Sequence, residues 1–87
     1  MHRTTNRFRK CFANLPEPVR KIAKKNFELL QANPSHPSLH FKKIGKFWSA
    51  RVGMNQRALA VKDGEDFIWV WIGTHDEYER MIKEMSS

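Results

Sequence analysis

The 87-residue sequence has one cysteine, Cys11, and lacks any long apolar run. A single cysteine excludes an internal disulfide and favours a reducing compartment, and its place on the apolar stripe of a predicted helix indicates a small core residue. No apolar run approaches the length that spans a bilayer, and the N-terminus lacks the apolar core of a signal peptide. We therefore expect a cytoplasmic protein of one domain, residues 1–87, with no membrane contact.

Acidic residues are absent from residues 29–62, although six lysines and arginines lie there. Residues 1–57 carry thirteen lysines and arginines against two glutamates, a surplus of +11, whereas residues 58–87 carry three against seven acids. A concentrated basic surface attracts polyanions, and for a cytoplasmic protein nucleic acid is the first candidate. The alternative is a solvated basic face that an acidic protein partner neutralises.

Signals for a metal site or a phosphate-binding loop are also missing. His36 and His40 have i, i+4 spacing, but Pro37 between them argues against a helix, and no cysteine or carboxylate lies nearby in the sequence to complete a ligand set. The four glycines of the chain do not form a glycine-rich phosphate-binding loop. We expect neither a metal ion nor a cofactor.

Hydrophobic periodicity predicts two N-terminal helices. The first has apolar residues at positions 8, 12 and 15 and a polar cap within residues 4–6. Two prolines then end it and open the second helix, since proline is tolerated in a first turn. The second helix has an apolar residue every three or four positions and ends near Asn33.

Four strands are predicted after a proline-rich turn, at residues 39–44, 47–52, 57–62 and 67–72. Their short connections are typical of hairpins. The sequence thus predicts an α+β fold, in which two N-terminal helices pack on one face of a four-stranded, mainly antiparallel sheet. A short C-terminal helix over residues 76–85 closes the chain, and we expect the other sheet face to be free for binding.

The last predicted strand leads directly into a polar helix start. Its six consecutive apolar residues, 67–72, predict a strand that is buried on both faces, and we expect it to be the central strand. Gly73 ends this strand, and Thr74 can cap the next helix. His75 and Tyr78 then lie three residues apart on one helical face at the edge of the sheet.

Basic and aromatic side chains of the predicted sheet have two interpretations each. Strand parity places Arg51 on the face away from the core, and Arg57 lies across the hairpin, so that two guanidinium groups form a fork for a phosphate backbone. The alternative is two surface arginines without a partner. Trp48, Trp69 and Trp71 offer either a stacking platform for bases or, as is usual in a small domain, part of the core.

Four segments of the chain carry a resemblance: HPSLHFKK at 36–43, WSARVG at 48–53, RAL at 57–59 and WIGTHDEY at 71–78. In this order and spacing they resemble the RelE/ParE superfamily of bacterial toxins from type II toxin-antitoxin modules. The resemblance covers nearly the whole chain, and it implies a small toxin that is neutralised by a cognate antitoxin protein.

The fold alone does not decide the activity of such a toxin. RelE-like members cleave messenger RNA, commonly on the ribosome, and this mRNA endonuclease (mRNA interferase) activity is the function we favour. ParE-like members inhibit DNA gyrase without cutting RNA. A third alternative is an inactive paralogue that only binds an antitoxin.

For an mRNA endonuclease, the resemblance implies a catalytic group of Arg51, Arg57, His75 and Tyr78. The two arginines clamp the phosphate, while His75 and Tyr78 move protons or stack on a base. Histidine suits either proton role, because imidazole titrates near neutrality in model compounds. The implied RNA-binding residues are Lys42, Lys43, Lys46, Arg51 and Arg57.

The chain departs from the pattern of this family at two positions. RelE-like nucleases often carry a lysine where Ser49 stands and an arginine where His75 stands. A related branch uses a strand glutamate as the base, but no acidic residue lies on the second or third predicted strand. His75 must therefore act as the base itself, or the nuclease hypothesis loses support. The structural alternatives are a helix-cap role for His75 and a core role for Tyr78.

Overall fold

The computed structural model describes residues 2–86, and these form three α-helices and a five-stranded sheet. The strands are β1 (His2–Thr4), β2 (Lys42–Ile44), β3 (Phe47–Arg51), β4 (Gln56–Asp63) and β5 (Asp66–Thr74). The helices are α1 (Asn6–Ala13), α2 (Glu17–Ala32) and α3 (His75–Ser86), with a 3-10 turn at Pro37–Leu39. Within the described part of the chain, no helix combines the length and apolarity needed to cross a membrane.

The sheet has the order β1-β5-β4-β3-β2, in which β1 runs parallel to β5 and the other pairs are antiparallel. The α+β class is confirmed, but the predicted four-stranded sheet is wrong by one strand. The missed strand, β1, has only three residues and is held by residues distant in the sequence. Trp69 Nε1–H donates to His2 Nδ1 at 3.0 Å. Burial lowers the pKa of His2, and this favours the neutral imidazole that accepts the hydrogen bond. With β1 at the edge, β5 is an interior strand, but the central strand is β4, so the prediction that β5 is central is wrong.

The segment after α2 also differs from the prediction. Residues 39–44 are not one strand, because Leu39 is fully buried at the end of the 3-10 turn and His40 takes a left-handed conformation with φ 45°. Only Lys42–Ile44 pairs with β3. The His36 ring supports the turn by accepting the Ser38 backbone N–H at 3.2 Å, so this histidine has a local structural role.

Aromatic side chains fill the core between the first two helices and the sheet. Trp69 is 1% exposed and meets Phe27 of α2 edge to face at 5.0 Å, while Phe41 lies 5.1 Å from the ring of Trp48. Trp71 is also buried, and Trp48 is half-buried and packs against the core, so none of the three forms a free stacking platform. Cys11 is half-buried against this core, as predicted.

The second face of the sheet is not bare, contrary to our expectation, because α3 packs across it. Leu59, Trp71 and Tyr78 form a buried cluster there, together with partly buried residues from α1, α3 and strands β2, β3 and β5. A bulge in β5 makes this possible: Leu59 pairs with Trp71 and Ala60 pairs with Trp69, which leaves Val70 unpaired. Trp69 and Trp71 therefore contribute to opposite faces, although residues two apart normally share one.

A reciprocal pair of hydrogen bonds fixes the start of α3 at His75, one residue before the predicted start. The Thr74 hydroxyl accepts the Glu77 backbone N–H at 3.2 Å, and Glu77 Oε1 accepts the Thr74 backbone N–H at 3.1 Å. This is the arrangement of a capping box. The Thr74 backbone N–H, and then its hydroxyl, lower the pKa of the Glu77 carboxyl.

We expect Thr74→Ala to lower the free energy of unfolding by about 1 kcal/mol, whereas Thr74→Ser keeps the cap. Because the folded state lowers the Glu77 pKa, the carboxylate stabilises the fold above its ordinary value of 4.5 and loses this effect as pH falls through the folded-state value. Glu77→Gln should remove that pH dependence. Urea unfolding in steps from neutral to acid pH measures both effects, and an alanine variant as stable as Thr74→Ser would contradict the first.

Candidate functional site

An open cleft of about 250 Å³ lies where the β3-β4 hairpin meets the start of α3. No lining residue is acidic, and three of them are basic or titratable: Arg51, Arg57 and His75. The remaining lining residues are Met54, Asn55 and Gln56. The cleft therefore offers cations and polar groups to an anionic ligand from one side of the sheet.

Arg51 and Arg57 stand directly opposite each other in the β3-β4 pair. Opposite residues of an antiparallel pair point to the same face, so the two arginines share one face of the sheet, and both line the cleft. Arg51 Nε and Nη2 each lie 3.4 Å from a carbonyl oxygen of the hairpin loop, those of Gly53 and Met54. These are long, weak hydrogen bonds, and they leave Arg51 available to an anion.

His75 is the first residue of α3, and its backbone joins the helix to the hairpin. Its N–H donates to the Asn55 carbonyl oxygen at 2.8 Å. The imidazole is then held against the cleft by the capping box one residue earlier, and its side chain remains 39% exposed. A ligand in the cleft can therefore reach the ring.

The two ring nitrogens of His75 have different partners, which fixes the tautomer. Arg57 Nε–H lies 3.4 Å from Nδ1, and Nε2 lies 2.9 Å from Glu79 Oε1. Arginine can only donate and an ionised carboxylate can only accept. The network therefore assigns the proton to Nε2 and the lone pair to Nδ1, on the side of the ring that faces Arg57.

Arg57 lies over the ring of Tyr78, with Cζ 5.2 Å from the ring centroid. Among the described residues its Nη1 is buried and has no hydrogen-bond partner. An unpaired buried N–H of a charged group is costly, and the Nε–H contact with His75 is long. An anion that accepts hydrogen bonds from both Nη1 and Nε of Arg57 would therefore stabilise the guanidinium in a position closer to the anion.

Tyr78 lies beneath the cleft rather than in its lining. Its side chain is 6% exposed and belongs to the cluster with Leu59 and Trp71, and its ring is 6.0 Å from that of His75. The structure therefore brings together all four predicted catalytic residues, with Tyr78 as the floor under Arg57.

The predicted RNA-binding lysines lie outside the cleft. Lys42 is opposite Ser49 and shares the face of the arginines, whereas Lys43 is opposite Trp48 and shares the face covered by the first two helices. Lys46 lies in the β2-β3 turn, with Nζ 5.5 Å from the ring of Phe47. Ser49 is fully buried, and its hydroxyl has no partner within residues 2–86.

Sequence reasoning missed Glu79 and the loop residues of the cleft. Glu79 follows His75 by four residues, a spacing that places both on one helical face, and this signal was available in the sequence. Met54, Asn55 and Gln56 carried no such signal, because their place in the cleft depends on the path of the hairpin loop.

Comparison with known proteins identifies the fold. A scan against protein-family models and a search of curated protein sequences gave no match. Among solved structures, the chain is similar to one titled as the RelB-RelE antitoxin-toxin complex of Methanococcus jannaschii, with a TM-score of 0.69, 23% identity, and coverage of 91% of this chain and 96% of that one.

Two Escherichia coli proteins, YafQ and the RelE toxin, are similar in structure to this chain to about the same degree. YafQ matches with a TM-score of 0.66 and 14% identity, over 90% of this chain and 96% of YafQ. The isolated RelE toxin matches with a TM-score of 0.64 and 14% identity, over 98% of this chain and 97% of that chain. The resemblance read from the four sequence segments is thus confirmed at the level of the fold, which is that of RelE-type toxins.

Proposed function

We propose that this chain, which has the RelE-type fold, is the toxin of a type II toxin-antitoxin pair and cleaves messenger RNA through its own side chains. The observation that carries the proposal is the position of His75 Nδ1, which lies 3.4 Å from Arg57 Nε in a cleft that Arg51 also lines. Cleavage at a 2′-hydroxyl requires a base and cations around the phosphate, and this cleft supplies both.

The contacts of Arg57 suggest how substrate binding activates the base. A phosphate between Arg51 and Arg57 draws the Arg57 guanidinium away from its long contact with His75. Nδ1 is then free to accept the proton of the 2′-hydroxyl. The 2′-oxygen attacks the phosphorus, the bond from phosphorus to the 5′-oxygen breaks, and the leaving oxygen takes a proton from water. The products are a 2′,3′-cyclic phosphate and a 5′-hydroxyl.

Tyr78 has a supporting role in this proposal. Its burial under Arg57 suits a platform that holds the guanidinium by a cation-π contact better than it suits a proton donor. The catalytic pair of His75 and Tyr78 predicted from the sequence therefore becomes one base and one positioning residue. Tyr78→Phe keeps the ring and distinguishes the two roles.

Glu79 orients His75 and stabilises the imidazolium that forms when Nδ1 takes a proton. We expect Glu79→Gln to lower the cleavage rate by up to about fivefold, because an exposed pair contributes at most about 1 kcal/mol. Asp76→Asn, one turn earlier on α3, removes the same charge and is the matched control. Nitrogen NMR of His75 gives the tautomer directly. Equal rates for the glutamine variant and the parent would remove Glu79 from the mechanism.

The function is tested by inducing the protein in cells and following bulk translation, transcript ends and DNA supercoiling side by side. We expect translation to stop and new transcripts to end in 2′,3′-cyclic phosphate or 3′-phosphate. Altered supercoiling with intact RNA would assign gyrase inhibition instead. Incubating the purified protein with RNA, with and without ribosomes, then separates free from ribosome-dependent cleavage.

The proposed partner is an antitoxin encoded beside this chain. The surplus of +11 over residues 1–57 suits an acidic partner segment, since binding it relieves the repulsion among the basic residues. We expect co-expression with the neighbouring small gene to restore growth and to yield a complex that co-purifies. If its product neither binds nor restores growth, the toxin-antitoxin proposal loses its main support.

A further inference from the structure

A second groove, of about 340 Å³, adjoins the cleft at the β3-β4 loop. Arg51 and Met54 line both the cleft and the groove, so the two lie side by side at the hairpin loop. The other lining residues of the groove are Ile22 and Asn26 of α2, together with Ser38 and Gly53. The groove is therefore the next site along the surface for a chain molecule that is bound in the cleft.

Two exposed hydrophobic side chains line the groove. Ile22 is 48% exposed and Met54 is 89% exposed, and these are the large hydrophobic side chains left open to solvent among those described in residues 2–84. Single exposed apolar residues are common, but two from distant segments that line one groove indicate a ligand with an apolar surface.

Polar groups accompany these apolar side chains. Asn26 is half-buried, and within the described residues its amide has no hydrogen-bond partner, so it can still donate and accept. Ser38 adds an exposed hydroxyl, which lies 2.8 Å from His36 Nδ1, and Arg51 adds a cation at the boundary with the cleft. No acidic residue lines the groove.

We propose that this groove binds the nucleobase next to the phosphate held in the cleft. A nucleobase has apolar faces that stack on Ile22 and Met54, and an edge with donors and acceptors that suits the Asn26 amide. The groove volume is near the lower end of that of small-molecule pockets, which suits one base better than a protein segment. This inference rests on the proposed RNA cleavage, and it assigns base preference to α2 and the hairpin loop.

Binding of fluorescent single-stranded RNA homopolymers to purified variants tests the inference. We expect Met54→Ala and Ile22→Ser each to weaken RNA binding about fivefold, by loss of apolar contact with the base, with the same salt dependence as the parent because no phosphate contact is removed. Asn26→Asp, which replaces two donors by an acceptor, should change the order of preference among the four homopolymers. Ala32→Ser, at an exposed position of the same helix, is the matched control and should bind as the parent does.

The possible failures are distinguishable. Unchanged RNA affinity in Met54→Ala, whose loop position makes misfolding a minor concern, would overturn the base-binding groove while leaving the phosphate cleft in place. Loss of antitoxin binding with unchanged RNA affinity would overturn it in favour of a protein-docking surface. A parent protein that binds no RNA would overturn the proposed function itself, before any variant is compared.

Discussion

Replacing His75 by alanine should lower the rate of RNA cleavage about 100-fold to 10,000-fold, which is the usual effect of losing a general base. The fold should persist, because the Thr74 and Glu77 side chains cap α3 and the His75 backbone N–H, which an alanine keeps, still donates to Asn55. Circular dichroism and antitoxin binding check the fold, and cleavage of a labelled RNA gives the rate.

Two comparisons make the His75 result specific. Tyr78→Phe should cleave nearly as fast as the parent if the tyrosine is a platform for Arg57, and it should match His75→Ala if the hydroxyl donates a proton. His75→Gln keeps a polar side chain but no titratable one, and it should be as slow as the alanine variant. Folded His75→Ala that still arrests growth fully would contradict the assignment of His75 as the base.

Neutralising both arginines of the cleft, Arg51→Gln with Arg57→Gln, should weaken binding to single-stranded RNA about 100-fold at low salt. Two charge-assisted contacts to phosphate are worth roughly 3 kcal/mol together. The slope of log affinity against log salt should fall by about 1.4, since each phosphate contact on a single strand contributes about 0.7. Fluorescence anisotropy across a salt series measures both quantities.

The matched control removes the same charge from the exposed side of α2, by Lys21→Gln with Lys25→Gln. Lys21 is 77% exposed and pairs only weakly with Glu17 at 3.7 Å, so little stability is lost. We expect this control to keep most of the RNA affinity. Equal losses in the two double variants would mean that RNA responds to net charge and not to the cleft.

The sequence was sufficient for those parts of the site that depend on local periodicity. The alternation in β3 and the short hairpin placed Arg51 opposite Arg57, and the polar residues after Gly73 predicted the helix start that carries His75. The i, i+4 spacing of Glu79 was equally visible. These features require only the two-residue repeat of a strand and the turn of a helix.

Other parts depend on contacts that no local pattern shows. The three residues of β1 become a strand only because Trp69 and Thr5 hold them against β5. The burial of Tyr78 follows from the packing of α3 across the second face, which the helix pattern alone does not place. The lysines were grouped with the arginines by charge, but strand register puts Lys43 on the opposite face.

The bulge at Val70 decides on which side of the protein the histidine emerges. Side chains of β5 switch faces at this unpaired residue. The extra residue therefore determines which face of the sheet the last residues of β5, and the start of α3 after them, present. If Val70 instead paired regularly with β4, with no bulge, simple alternation along the strand would turn Ile72, Gly73 and Thr74 over to the other face. The side chain of His75 would then leave from the face covered by α1 and α2, separated from both arginines by the thickness of the sheet.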